Sequence, residues 1–218
     1  MITVHHLNNS RSQRVLWLLE ELGVPYEMVK YERDPKTQLA PESLQKIHPL
    51  GKSPVVTDGD LVLAESGAIL EYLVEKYGAG KLAPAPGTAA FQTYRYFLHY
   101  AEGSLMPFLL LRLIMNRIRK APLLVRPIAK AIAGKVDGAF VSPNLARHIA
   151  FLDGELATRE WFAGALSAAD CQMLYPMEAI ASRVPDAPAR IKQWVERAHA
   201  RPAFQRALEK GGPYATTE

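Results

Sequence analysis

The chain has 218 residues, which allows one large domain or two small ones. Apolar residues make up 49% of it and charged residues 22%, so it can bury a large core without a disulfide or a structural metal. The formal net charge of +4 is too small to indicate a protein that binds nucleic acid.

Residue types restrict the class of protein further. The single cysteine, Cys171, excludes a disulfide framework, a Cys-x-x-Cys redox pair and a thiolate zinc cluster. The first residues do not resemble a signal peptide, and the most apolar stretch, Leu105 to Leu111, is far shorter than the roughly 18 residues that span a bilayer. The six histidines show no metal-ligand spacing. We therefore expect a soluble cytoplasmic protein without a metal site.

The first 77 residues alternate between strand and helix patterns. Strand-like composition occurs at Ile2–Leu7 and Tyr26–Tyr31, and between them apolar residues recur at helical spacing and stop at Gly23. Residues 35–50 are irregular, with room for one short helix. A hairpin with a tight Asp58-Gly59 turn and a second helical pattern follow. This order predicts a small mixed sheet covered by helices.

The rest of the chain carries helical patterns only. It begins after a connector rich in Gly, Pro and Ala at residues 78–87, which is typical of a domain linker. Residues 88–120 should be helical, with Pro107 as a candidate break. Ser142-Pro143 suggests a helix start, and Ser167-Ala168-Ala169-Asp170 predicts a capping box. The second half is therefore predicted to be an all-helical bundle.

Residues 8–12, with the sequence NNSRS, connect the first strand to the first helix. Small hydroxyl and amide residues are good N-caps, which is the simpler interpretation. A helix N-terminus also presents free backbone N–H groups and positive partial charge. A hydroxyl placed there would complete a site for a small anion, including a thiolate. The residues alone leave both interpretations open.

Two further loops have residue types suited to holding a peptide-like ligand. Ser53-Pro54 is either a plain loop-to-strand junction or, if the bond is cis, a place where the Ser53 backbone turns outward to an extended ligand. Glu65-Ser66 is either helix capping or a site for an α-amino acid end. In the second case Glu65 holds the ammonium group, and Ser66 with the following N–H groups holds the carboxylate.

Cys171 offers a weaker case for chemistry. Its position next to the capping box points it toward the core, where a free cysteine behaves as a small apolar residue. We expect no catalytic role for it.

Taken together, the motifs follow a recognisable order along the chain. A strand, Ser10 and a helix are followed by Lys52-Ser53-Pro54, by Glu65-Ser66, by the linker and by a helical region that contains residues 164–170, GALSAAD. This arrangement resembles the cytosolic glutathione transferases, in particular bacterial and fungal serine-type members. The resemblance implies an α/β plus all-α fold. A thioredoxin-like glutathione-binding domain would cover residues 1–81, and an all-helical domain with the second-substrate pocket would cover residues 87–218.

The resemblance also implies which residues bind glutathione. Ser53 would offer its backbone to the cysteinyl part of glutathione beside a cis Pro54. Glu65 and Ser66 would hold the γ-glutamyl end, and Lys52 would meet the glycyl carboxylate.

Thiol activation is assigned by the same resemblance. Ser10 would be the catalytic residue, and Asn9 is the neighbouring alternative. The loop contains neither Tyr nor Cys, which disfavours tyrosine-type activation and the thiol-exchange classes.

The function implied is that of a homodimeric glutathione transferase involved in detoxification. It would convert glutathione to a thiolate that attacks hydrophobic electrophiles or reduces hydroperoxides. The alternative is a glutathione-binding regulatory or interaction protein of the same fold without catalysis. No nucleic-acid partner is expected, and membrane association is not the favoured interpretation.

The second substrate is addressed only by the stretch from Gly103 to Val136. It interleaves apolar residues with seven basic ones and has no acidic residue. One interpretation is an apolar side packed in the bundle with a solvated basic side. The others are a pocket wall with a basic rim for anionic, hydrophobic electrophiles and a face for a membrane surface.

Overall fold

A computed structural model describes residues 1–214 of the chain. The first half forms a four-stranded mixed sheet with the strand order β2-β1-β3-β4, in which β1 is parallel to β2 and antiparallel to β3. Its elements are β1 (Ile2–Leu7), α1 (Gln13–Leu22), β2 (Tyr26–Tyr31), α2 (Glu42–Gln45), β3 (Val55–Asp58), β4 (Leu61–Ala64) and α3 (Ser66–Tyr77).

The second half, up to residue 214, is helical. Two π turns, Ala101–Leu105 and Asp137–Val141, join α4 to α5 and α6 to α7. Its helices are α4 (Ala89–Tyr100), α5 (Met106–Ile118), α6 (Arg126–Val136), α7 (Ser142–Glu155), α8 (Ala168–Arg183), α9 (Ala189–His199) and α10 (Pro202–Gly211). The predicted fold class, a thioredoxin-like α/β part followed by an all-helical part, is confirmed.

Helix α1 lies between the two halves. Residues 13–19 are all buried, because α1 packs against α3 on one side and against α8 and α10 on the other. The Trp17 ring meets the Phe204 ring edge to face, with 5.9 Å between the centroids. Gly23 ends the helix in the left-handed region at φ +69°, as predicted. One apolar core therefore continues across both halves, and the limits 1–81 and 87–218 stay predictions.

The hairpin turn was predicted one residue too early. Asp58 pairs with Leu61 in the sheet, so the two-residue loop is Gly59–Asp60, with Gly59 at φ +62°. The Asp58 carboxylate accepts hydrogen bonds from α3, from Tyr72 (2.7 Å), Lys76 (2.7 Å) and Tyr77. Lys76, Tyr77 and Tyr72 hold the pKa of Asp58 well below its usual range. Asp58 thus fastens the hairpin to the helix that covers it.

Ser142-Pro143 correctly predicted a helix start, because α7 begins at Ser142, but two details of the proline predictions were wrong. Pro107 does not break the helix, and Ser142 is not an N-cap, since the chain enters both α5 and α7 directly from a π turn. Each proline then lies in the first turn, where a missing N–H costs little. The Ser142 hydroxyl donates to Asp137 instead (3.2 Å).

The capping box at the start of α8 is confirmed. The Ser167 backbone N–H and hydroxyl both donate to the Asp170 carboxylate at 2.9 Å. Cys171, the next residue, is fully buried, as predicted. Burial raises the pKa of the Cys171 thiol well above its usual value, which disfavours the reactive thiolate.

Helices α5 and α6 leave an exposed apolar face. The interpretation that the apolar residues of this stretch pack inside the bundle holds for Leu105 and Ala133 but is wrong for the face itself. We define the α5–α6 face by its exposed apolar residues: Leu110, Ile114, Ile118, Leu123, Leu124, Val125, Ile128, Ile132, Val136 and Phe140. No helix among residues 1–214 is both long and apolar enough to cross a membrane.

Candidate active site

Two adjoining cavities lie where β1 ends and α1 begins, and they share Arg11, Leu50, Lys52 and Ser53. The first encloses about 100 Å³ and is lined by Arg11, His48, Leu50, Lys52, Ser53, Pro54, Ala64, Glu65, Ser66 and Glu102. The second encloses about 390 Å³ and is lined by Leu7, Asn9, Ser10, Arg11, Arg33, Leu39, Ala40, Leu50, Gly51, Lys52, Ser53 and Tyr175. The seven site residues expected from the sequence all lie on these walls.

Ser53 ties the loop before β3 to the end of β1. Its hydroxyl donates to the His5 backbone carbonyl (3.0 Å) and accepts from the Leu7 N–H (3.2 Å). The Ser53–Pro54 peptide bond is cis, as the resemblance implies. Pro54 itself is buried at the start of the strand.

Glu65 and Ser66 form the start of α3. Glu65, not Ser66, is the N-cap residue, and it lies in the left-handed region at φ +70°. Ser66 is the first helical residue, and only 7% of it is exposed. The free N–H groups of the first turn therefore lie beside the Glu65 carboxylate, a combination that suits a ligand carrying both charges.

A buried arginine connects this wall to the helical half. The Arg14 guanidinium donates through Nη1 to Glu102 Oε1 (2.7 Å), Gln172 Oε1 (2.9 Å) and Ser66 Oγ (3.3 Å). Glu102 also pairs with Arg11 at 3.2 Å. The sequence pattern gave no sign of Glu102, because no local pattern brings a residue 88 positions away to the same wall.

The Ser10 hydroxyl belongs to a chain of hydrogen bonds that leads into the core. Ser10 Oγ lies 2.7 Å from Ser12 Oγ and 3.3 Å from Ser53 Oγ, and Ser12 Oγ lies 2.8 Å from His6 Nδ1. The ring of His6 also bonds the Gly211 backbone at the end of α10. The sequence pattern around His6 gave no sign of this role.

The protonation state of His6 determines which way the protons point in this series of hydrogen bonds. Burial lowers the pKa of His6 to about 4, so its imidazole is neutral near pH 7. A carbonyl can only accept, so the ring N–H points to Gly211, and Nδ1 accepts from Ser12. Ser12 gives its one proton to His6 and Ser53 gives its proton to the His5 carbonyl, so the Ser10 proton points to Ser12 Oγ or to Ser53 Oγ. An imidazole with this pKa cannot hold a proton taken from a thiol at neutral pH. The hydrogen bonds through Ser12 and His6 therefore position the Ser10 hydroxyl and do not deprotonate it.

The burial of His6 predicts an acid-sensitive fold. In the unfolded chain His6 has a pKa near 6.5 and takes up a proton first, so stability is lost as the pH falls below about 6.5. We expect the free energy of unfolding to drop by about 2 kcal/mol more between pH 7 and pH 5 in the wild type than in a His6→Asn variant. Urea unfolding at both pH values measures this. Equal losses in the two proteins would show that His6 is not buried as a neutral ring.

The backbone of the Asn8–Asn9 turn is held by Arg33. The Arg33 guanidinium donates to the carbonyls of Asn8 (3.3 Å) and Asn9 (3.5 Å), and its backbone N–H donates to Asn8 Oδ1 (2.9 Å). Asn9 is exposed at φ +50°, a conformation that asparagine tolerates better than most residues. Nothing in the sequence pattern pointed to Arg33, which follows β2 rather than β1.

Comparison with known proteins decides the family. Residues 1–75 match the model of the glutathione S-transferase N-terminal domain. Glutathione S-transferase 3 of Schizosaccharomyces pombe is 38% identical over 215 residues, which cover 96% of this chain and 88% of that protein. The chain belongs to the glutathione S-transferase family.

Two further members of the family match almost the full length of this chain. Glutathione S-transferase 1 of Saccharomyces cerevisiae is 31% identical, covering 96% of this chain and 95% of its own. A crystal structure of a glutathione S-transferase from Actinobacillus pleuropneumoniae matches with a TM-score of 0.80 and 32% identity, over 97% of this chain and 93% of that one. Within residues 1–214 of the chain described here, no group of three or more His, Cys, Asp or Glu residues could hold a metal ion.

Proposed function

We propose that this protein is a glutathione transferase that binds glutathione in the first cavity and activates its thiol at Ser10. One observation supports the proposal most directly. Lys52, Ser53, Glu65 and Ser66 surround one cavity, and the Ser10 hydroxyl lies 3.3 Å from Ser53 Oγ at its edge.

The assignment of glutathione groups follows the charges around this cavity. Glu65 receives the ammonium group of the γ-glutamyl end, and Ser66 with the α3 N-terminus receives its carboxylate. The Ser53 backbone meets the cysteinyl part beside Pro54, and Lys52 meets the glycyl carboxylate. A ligand placed in this way brings its sulfur to the cavity edge nearest Ser10.

Thiol activation requires only a modest electrostatic effect. A free thiol has a pKa near 8.5, and only the thiolate attacks. Lowering the pKa by about two units takes roughly 2.7 kcal/mol. One hydrogen bond to a charged group, about 1.5–3 kcal/mol, supplies most of it when the Ser10 hydroxyl turns from Ser12 to the sulfur. The thiol proton goes to solvent, and the sulfur lone pair forms the new bond to carbon.

Glutathione binding is the first test. Replacing Glu65 by glutamine removes the charge that faces the ammonium group, and we expect the dissociation constant for glutathione to rise by about 10- to 100-fold. The matched control is Glu75→Gln, an exposed position on the same helix α3, which should leave the constant unchanged. Isothermal titration calorimetry measures both variants.

The outcomes separate the alternatives. No heat from millimolar glutathione on folded wild-type protein would overturn the proposal. Binding without turnover of 1-chloro-2,4-dinitrobenzene or cumene hydroperoxide would favour a glutathione-binding protein without catalysis. Turnover of either compound supports an enzyme, and the better substrate distinguishes transferase from peroxidase activity.

A homodimer in the cytoplasm with a detoxifying role completes the proposal. The α5–α6 face exposes ten large apolar side chains, and exposed apolar patches commonly mark protein–protein contacts. An open depression of about 620 Å³ along α4 and the π turn after it includes Tyr96 and Tyr100. A second copy covering this surface would remove it from water. The reducing cytoplasm is the compartment that suits a free thiol substrate.

A further inference from the structure

The second cavity has a strongly one-sided charge. Its walls carry three cations, Arg11, Arg33 and Lys52, and no carboxylate among the described residues. The other lining residues include the exposed Leu39 and Leu50 and the aromatic Tyr175. Ser10 lines this cavity, so a substrate that approaches the activated thiol there enters a region of positive potential.

Two of the three cations have partners already. Lys52 is assigned to the glycyl carboxylate of glutathione under the proposed function. Arg11 pairs with Glu102 at 3.2 Å, although Glu102 also neutralises Arg14, so the three side chains together keep one positive charge. The Arg11 guanidinium lies 5.8 Å from the centre of the Tyr175 ring, which positions its charge beside the apolar wall.

Arg33 is the cation that no carboxylate compensates. Within residues 1–214 its guanidinium donates to the backbone carbonyls of Asn8, Asn9 and Gln38, and no ion pair forms. The neighbouring Asp34 carboxylate turns away, accepting from the backbone of Lys36 and Thr37 and from the Thr37 hydroxyl. Arg33 is half-buried and held in place, so its charge is fixed at the cavity wall.

We propose that the second substrate is an apolar, aromatic electrophile carrying a carboxylate, with Arg33 as the residue that selects the negative charge. The inference rests on the proposed function and adds the substrate class. Leu39, Leu50 and Tyr175 contact the apolar body, and the carboxylate faces Arg33 and Arg11. For an aryl chloride the thiolate forms a carbon–sulfur bond, the carbon–chlorine bond breaks, and chloride leaves with its electron pair.

A pair of substrates of nearly equal shape tests the selection. 4-Chloro-3,5-dinitrobenzoate and its neutral amide, 4-chloro-3,5-dinitrobenzamide, differ only in the charged group. Their kcat/KM values are divided by the uncatalysed rate constants with glutathione, which removes the difference in intrinsic reactivity. We expect the acid to exceed the amide by about tenfold, mainly through KM. Raising the ionic strength from about 0.05 to about 0.5 M should lower only the acid's value.

Two variants of Arg33 separate charge from loop support. Arg33→Gln removes the charge, and we expect the acid-to-amide ratio to fall close to one. Arg33→Lys keeps the charge but loses the fork that holds the Asn8–Asn9 turn, so the ratio should stay near the wild-type value even if both rates fall. Calorimetry should show unchanged glutathione binding in both.

The possible results test the substrate class and the proposed function separately. A wild-type ratio near one, or a ratio that Arg33→Gln leaves unchanged, overturns the substrate class while glutathione binding stands. A wild-type protein that does not bind glutathione overturns the proposed function itself.

Discussion

Replacing Ser10 by alanine should lower kcat/KM for glutathione conjugation at pH 6.5 by about 10- to 100-fold and leave glutathione binding nearly unchanged. The hydroxyl stabilises the thiolate but contributes little to holding the neutral tripeptide. Without it the bound thiol titrates one to two pH units higher, at about 1.4 kcal/mol for each unit. The rate deficit should therefore shrink as the pH rises toward 9. A pH profile of kcat/KM for the two proteins measures the shift.

Ser12 and Asn9 provide the controls. The Ser12→Ala variant loses the bond between the two hydroxyls, but the backbone N–H of residue 12 still donates to Ser10 Oγ, so Ser10 stays in place and conjugation should be retained. If Ser12→Ala reduced the rate as much as Ser10→Ala, the chain to His6 would be a proton path and not a scaffold. If Ser10→Ala kept a normal rate and pH profile while Asn9→Ala lost activity, Asn9 would be the activating residue.

Replacing Asp170 by alanine should reduce the free energy of unfolding by about 3 kcal/mol or more. Its fully buried carboxylate accepts from the N–H groups of Phe162 and Ser167 and from the Ser167 hydroxyl, each at 2.9 Å. Alanine leaves all three donors without an acceptor in a region that excludes water. Burial raises the pKa of Asp170 to about 7, against the effect of these donors, so the site depends on keeping all of them.

A surface aspartate gives the comparison for Asp170. Asp153 pairs with Arg190 at 2.8 Å, and half of the Arg190 side chain is exposed. Asp153→Ala should cost between 0 and about 1 kcal/mol, as exposed ion pairs do. Chemical denaturation of both variants gives the two values. Similar small losses at the two positions would mean that the capping box does not hold the start of α8.

Elements with a local cause could be predicted from the sequence. The strands β1 and β2, the end of α1 at Gly23 and the capping box of α8 depend on residues that lie within a few positions of each other. The hairpin turn failed because Asp58 is drawn into the strand by three side chains of α3, which no hairpin rule includes. The predicted break at Pro107 and the predicted N-cap at Ser142 failed because a π turn precedes each helix, and a π turn has no signal in residue type.

The sequence predicted which residues line the glutathione cavity, but not which residues from other parts of the chain support them. Lys52, Ser53, Glu65 and Ser66 stand in short motifs, whereas Arg14, Glu102 and Gln172 meet only because α1 lies between the sheet and the helical half. The same burial of α1 places Ser12 and His6 behind Ser10. Arg33 reaches the active-site turn because β2 is the parallel neighbour of β1.

By itself, the sequence determined the layered order of strands and helices, the motifs of the glutathione site and the membership of its family, because each depends on neighbouring residues or on motif order. Only the tertiary structure decided that the Ser10 hydroxyl meets Ser12 and Ser53, that the Arg33 guanidinium binds backbone carbonyls and no carboxylate, and which apolar residues of α5 and α6 stay exposed. These depend on contacts between residues far apart in the chain, and their energies come from burial and charge pairing that no local pattern records.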